Sequence, residues 1–127
     1  MDGKKLQERA AERTHELPGA ELSHPFGPDW DVYKVRGKVF MLQTVLASEP
    51  IVILKAAPTD ALSLRAALDD ITPGYHMNKK HWITLHPGGG LDAAFVDDLV
   101  TESYLLVVEK LPKKQQPVDP ATFGQRS

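Results

Sequence analysis

Cysteine is absent from the 127 residues. That excludes disulfides, thiolate metal sites, iron–sulfur clusters and a cysteine nucleophile, and it fits a reducing compartment. Long apolar runs are missing too: none approaches the ~20 residues of a membrane span. The opening Met1-Asp2-Gly3-Lys4-Lys5 leads into a charged amphipathic segment, not a secretory core. The expectation is a cytoplasmic protein without a membrane partner. Nor does charge of one sign dominate, since the formal net charge is -2 and the pI about 6.2. Domains that coat nucleic acid by bulk charge are strongly basic, so a nucleic-acid contact here would need a local arrangement of cations. Internal repeats are also absent.

What is present is ordinary for one globular domain: 42% apolar and 25% charged residues, at a length that supports one core. Lys4 to Leu17 reads as a helix with Leu6, Ala10, Ala11 and Leu17 as a thin apolar stripe, stopped by Pro18-Gly19. Ala20 to Phe26 reads as a short strand. Val32 to Arg36 and Val39 to Leu46 flank Gly37-Lys38, the signal of a two-residue type II′ hairpin with Lys38 at its tip. After a turn at Ser48-Glu49-Pro50, Ile51 to Ala56 reads as a central strand. A second helix is expected over 61–70, N-capped by Thr59 or Asp60, and Thr72-Pro73-Gly74 ends it. A strand follows from His81 to His86, then a flexible turn at Pro87-Gly88-Gly89-Gly90. A third helix spans 92–110, with Phe95, Val96, Leu99, Val100, Leu106 and Val107 inward. The order predicts an α+β fold, an antiparallel sheet with helices packed mainly on one face. The domain is expected over residues 1–111, with a flexible tail over 112–127.

Chemistry concentrates in Gly74-Tyr75-His76-Met77-Asn78-Lys79-Lys80-His81-Trp82. This run resembles the signature of the MmcQ/YjbR family. Pro25-Phe26-Gly27-Pro28 with Val32-Tyr33-Lys34-Val35, and Ser103-Tyr104 through Leu111-Pro112-Lys113-Lys114, resemble that family's first sheet segment and its C-terminal helix end. The resemblance implies a CyaY-like fold, akin in shape to double-wing DNA-binding modules. Members carry a DNA-binding label on that basis, which is fold analogy. The chain departs from the pattern at Pro87-Gly88-Gly89-Gly90 and in the residues after Lys114.

Read for themselves, Lys79 and Lys80 suit phosphates, Asn78 a base edge or phosphate, and Tyr75 or Trp82 stacking. Lys34, Arg36 and Lys38 on the hairpin, with His81, complete the expected nucleic-acid contact set. Together with Lys55 these cations leave the rest of the chain strongly acidic. A second reading is a non-enzymatic protein-interaction or scaffold domain, in which Trp82 fills core and Asn78 serves a left-handed turn. A third is a small-ligand or metal site at His76 and His81, although their five-residue spacing brings both to one ion only through a turn. Glu8, Glu12 and Glu16 recur every four residues beside Lys4, Lys5, Arg9 and Arg13, the pattern of a salt-bridged face. Ser23-His24 lacks an evident orienting carboxylate, and Asp69-Asp70 and Asp97-Asp98 read as exposed. Gly88-Gly89-Gly90 before a helix is a weak anion cradle. No enzyme constellation and no cofactor motif is expected.

Overall fold

The computed structural model describes residues 1–124 and places three helices against one face of an antiparallel sheet. In chain order these are α1 (Gly3–His15), β1 (Ala20–Ser23), β2 (Asp31–Val35), β3 (Lys38–Leu46), β4 (Glu49–Lys55), α2 (Pro58–Ala67), β5 (Ile71–Pro73), β6 (Trp82–Leu85) and α3 (Ala93–Val108). A 3-10 turn, Lys113–Gln115, follows. The six strands lie in the order β1-β2-β3-β4-β6-β5. The α+β class and the one-sided helices agree with the expectation from sequence. Among the described residues no helix is long and apolar enough to cross a membrane.

The α1 stripe is Leu6, Ala10 and Thr14, all buried at i, i+4 spacing. Arg9 on the neighbouring face grips Asp97 of α3 with both carboxylate oxygens, at 2.6 and 3.1 Å. Burial and bidentate geometry make this a better clamp than the exposed pairs Lys4–Glu8 and Arg13–Glu16 around it. Glu8, Glu12 and Glu16 are thus engaged by cations of their own helix, as their pattern suggested.

The main core lies between the sheet and α1 and α3, around Phe40, Met41, Leu54, Ile83 and Tyr104. Tyr104 stands edge-on to Phe40 at 5.5 Å and donates its hydroxyl to the Pro18 carbonyl at 2.5 Å. Burial pushes its phenol up to about 12, and Tyr33 is raised in the same direction by burial and then by Asp31. The folded state therefore holds these protons after the unfolded chain, titrating near ~10, has released them. Stability is expected to be full below that pH and to fall as pH rises toward 12. Urea midpoints measured across this window should show it, and Tyr104→Phe should flatten the decline.

A second core lies on the face without helices, where Val32, Leu42, Ile51, Ile53 and Trp82 are buried beneath Trp30, Val39, Leu46 and Met77. The nearly continuous apolar run of β4 is explained by burial on both faces.

Several details differ from the sequence reading. The β2–β3 turn is Arg36-Gly37, both at positive φ (50° and 77°), with Val35 paired to Lys38. This is type I′ geometry, and Lys38 is the first residue of β3, not the tip. The β3–β4 turn is Ala47-Ser48, also at positive φ, so Glu49 and Pro50 belong to the strand. Helix α2 starts at Pro58 with Ala57 as N-cap and no side-chain cap, because Pro fits the first helical position. It ends at Ala67, leaving room for β5, a three-residue edge strand whose Pro73 concealed it from pattern reading. In α3, Tyr104 is buried where the stripe had Leu106, which is half-buried.

Residues 113–124, expected as a flexible arm, follow a docked path. Val118 and Phe123 pack on the main core, the Phe123 ring lies 6.1 Å from Tyr104, and Arg36 Nε donates to the Gln115 carbonyl at 2.9 Å. Widely spaced apolar anchors hold this segment, and average composition does not reveal them. The rest of the expected tail, residues 125–127, lies outside the described residues.

Candidate functional site

The helix-free face is built in rows fixed by strand register. One row carries Val32, Leu42, Ile53, Thr84 and Thr72. Toward the β2–β3 hairpin end, Lys34 pairs with Val39 and Lys55 with Trp82. Lys34 faces Glu21 of β1. Lys55 Nζ sits 5.9 Å from the Trp82 ring centroid, a cation–π contact. At the same end, the Lys113–Gln115 turn is tied to Arg36, which adds Lys113 and Lys114 to a neighbourhood the sequence reading gave only to the hairpin.

Trp82 is 9% exposed and belongs to the second core. It does not present a free stacking face, which removes it from the expected contact set: its partners are Val32, Leu42, Ile51 and Ile53, brought together only by the sheet. Lys38, Lys79, Lys80, Asn78 and His81 are exposed, Lys34 is half-buried, and Arg36 is exposed with its Nε engaged by the tail.

The signature segment runs back across this face from Gly74. The Gly74 N–H donates to the Trp82 carbonyl at 2.9 Å, and the Tyr75 N–H to Thr84 Oγ1 at 2.9 Å. A side chain at 74 would meet Trp82 Cβ at 2.5 Å and its backbone at 3.0 Å, which is why glycine stands there. Gly74→Ala is expected to cost about 1–3 kcal/mol through overpacking, read as a lower urea midpoint. The left-handed residue of the loop is His76 (φ 58°), not Asn78. Asn78 instead accepts the Lys80 N–H on its side-chain oxygen at 2.9 Å, so its amide is used in closing the turn.

Trp30 and Tyr75 stand with rings 10° from parallel and centroids 6.4 Å apart. His76 leans on Tyr75 at 4.0 Å. Depressions of about 670, 490 and 260 Å³ meet at Tyr75 and His76. Trp30 was missed by sequence reasoning, and its position after the Gly27-Pro28-Asp29 turn was the available signal.

The other candidates resolve into structural ties. His24 Nε2 lies 2.8 Å from Asp31 Oδ1, so the histidine does have a carboxylate partner, which the sequence reading lacked. The Ser23 hydroxyl donates instead to the Val32 carbonyl. His86 bridges Thr72 Oγ1 at 2.7 Å and Glu49 Oε1 at 2.5 Å, joining three strands. The Gly90 N–H is occupied by Asp70 Oδ2 at 2.8 Å, and Asp92 caps α3 through the Phe95 N–H at 2.8 Å. The glycine turn is therefore filled by the protein's own carboxylates. Asp70 and Asp97 are half-buried and engaged, unlike Asp69 and Asp98. Among the described residues no group of three His, Cys, Asp or Glu side chains could hold a metal.

Comparison with known proteins returns one family. The family model described as YjbR matches residues 15–106. The uncharacterized protein YbdF of Escherichia coli O157:H7 is 45% identical over 116 residues, covering 91% of this chain and 95% of that protein. YjbR of Escherichia coli K12 is 35% identical over 101 residues, 78% and 84% of the two chains. Among solved structures, the Deinococcus radiodurans protein DR2400, a DUF419 domain, superposes with a TM-score of 0.80 at 30% identity over 91% of both chains. A Pseudomonas syringae protein does so with a TM-score of 0.68 at 27% identity, covering 84% of this chain and 98% of that one.

Proposed function

Because this chain belongs to the YjbR family, whose resemblance rests most on the segment that roofs the sheet, we propose that it is a non-enzymatic, cytoplasmic DNA-binding protein. DNA lies across the hairpin end of the sheet, in the manner of the CyaY-like and double-wing shapes. What supports this reading is a set of cations on segments far apart in sequence: Lys34, Arg36 and Lys38 on the hairpin, Lys113 and Lys114 on the tail turn tied to Arg36, and Lys79 and Lys80 in the loop before β6. From β2 to β6 is three strand steps, roughly 14 Å, which spans several phosphates. An acidic total charge is compatible with this, because phosphate contact depends on local potential.

The contact set is the sequence-derived one without Trp82. Asn78 contributes through its turn, and His81 through its exposed ring. Binding is thus mainly electrostatic and weakly selective, since lysine and arginine dominate the set and such cations meet phosphates. Fluorescence anisotropy with random duplex and single-stranded DNA at several salt concentrations tests it. The expected result is binding that weakens steeply with salt; no binding below about 100 μM at 50 mM salt would overturn the reading.

A further inference from the structure

Trp30 packs on the second core, whereas Tyr75 belongs to neither core. Tyr75 is exposed, and nearby Phe26 is 66% exposed. Surface aromatics clustered in this way mark contact sites more often than they stabilise a fold. The loop residue that carries the ring behind Tyr75 is His76, held in the left-handed region at φ 58°. Such backbone strain persists where surrounding structure fixes a side chain in place.

Two features define what the pair would take. The first is geometry. The rings, 10° from parallel with centroids 6.4 Å apart, lie in the range of an offset-stacked pair, whose outer aromatic face suits a planar group. The second is charge. The larger depression beside the pair is lined by Asp29 and Asp31, and neither it nor the 260 Å³ depression is lined by a Lys or Arg among the described residues. Carboxylates beside aromatic faces repel phosphate and attract a flat cation.

We propose that Trp30 and Tyr75 form a stacking surface for a guanidinium group, its plane lying on the aromatic pair and its N–H edge toward Asp29 and Asp31. A guanidinium is planar, stacks on aromatic faces and pairs with carboxylates through its donor fork. An ammonium has the charge but not the plane. This site is distinct from the cationic hairpin end and does not depend on DNA binding. Two sources carry the same chemistry, a free arginine-type metabolite and an arginine side chain of a peptide.

The test is an NMR titration of the full chain, following the Trp30 indole signal, assigned by its loss in Trp30→Phe. The ligands are L-arginine, N-acetyl-arginine amide, the matched lysine amide, citrulline and guanosine. The expected result is saturable shifts with the two guanidinium ligands, at least about 10-fold weaker with lysine amide and citrulline. Arginine bound ahead of the capped amide assigns the site to a free metabolite, and the reverse to a peptide. Tyr75→Ala is expected to weaken binding about 10-fold, with Tyr75→Phe close to wild type because the ring is retained. Asp29→Asn/Asp31→Asn should weaken it severalfold and make it less salt-sensitive. Any of four results would overturn the proposal: an unmoved indole signal up to about 50 mM arginine, more than about ten-thousandfold above a micromolar site; lysine amide binding as well as arginine; citrulline doing so; or guanosine binding ahead of both guanidinium ligands. Each variant's circular dichroism establishes that a loss is local, and the Tyr75→Phe arm reads the ring independently of folding.

Discussion

Tyr104→Ala is expected to lower stability by about 3–5 kcal/mol, the range for deleting a fully buried aromatic. The reason is that Tyr104 connects parts of the fold that touch nowhere else in sequence. Its ring meets Phe40 of β3 edge-on, its hydroxyl holds the Pro18 carbonyl at the end of α1, and Phe123 of the tail rests near it. Removing the ring opens a cavity under the sheet and loosens the tail together. Tyr104→Phe keeps the volume and loses only the hydroxyl contact, about 1 kcal/mol. Urea denaturation of both variants checks the pair, and a Tyr104→Ala cost no larger than that of Tyr104→Phe would show that the core is not organised around this ring. Loss of tail docking adds a second readout, since protease cleavage between 113 and 124 should accelerate in Tyr104→Ala well before global unfolding.

The largest functional effect is expected from neutralising four lysines at once. Lys34→Ala, Lys38→Ala, Lys79→Ala and Lys80→Ala remove four candidate phosphate contacts from two sequence-distant segments. Each contact contributes a slope of about -0.9 to the dependence of log affinity on log salt. Four contacts therefore predict an affinity that falls about 150-fold between 50 and 200 mM salt. The quadruple variant should lose roughly 100-fold at low salt and flatten the slope by about 4. Trp82→Phe is the instructive control. Trp82 is buried with Val32, Leu42 and Ile53, so this change should alter stability while leaving DNA affinity within about twofold, far below the loss of a stacked base. A large affinity loss in Trp82→Phe, with no change in the lysine variant, would reverse the assignment of roles.

Much of the fold was legible because its signals are local. The α1 stripe, the hairpin around Gly37, the apolar β4 and the third helix all follow from spacing within a few residues. What escaped the sequence depended on distant partners. Strand β5 is three residues long and contains a proline, and it exists because β6 gives it an edge. The tail docks because Phe123 reaches Tyr104, a contact that no local window contains. His24 finds Asp31 across the β1–β2 turn, where sequence reasoning found no carboxylate.

The signature segment shows the same division within nine residues. Its amino-acid types alone marked the family and supplied exposed lysines, because residue identity is what a signature records and charged side chains favour water. Whether Trp82 stacks on a ligand or fills a core could not be read from pleat alternation. Alternation gave it the face opposite Ile83, and that face would be open in a bare one-sided sheet. The tertiary structure decided it, because Trp30 and Met77 fold over that face and enclose the indole. The cost of leaving so large an apolar ring in water drives that closure. The sequence by itself therefore determined the α+β class, the main helices and strands, and the family. Only the tertiary structure decided which side of the sheet each aromatic serves, because burial is a property of what packs from elsewhere in the chain.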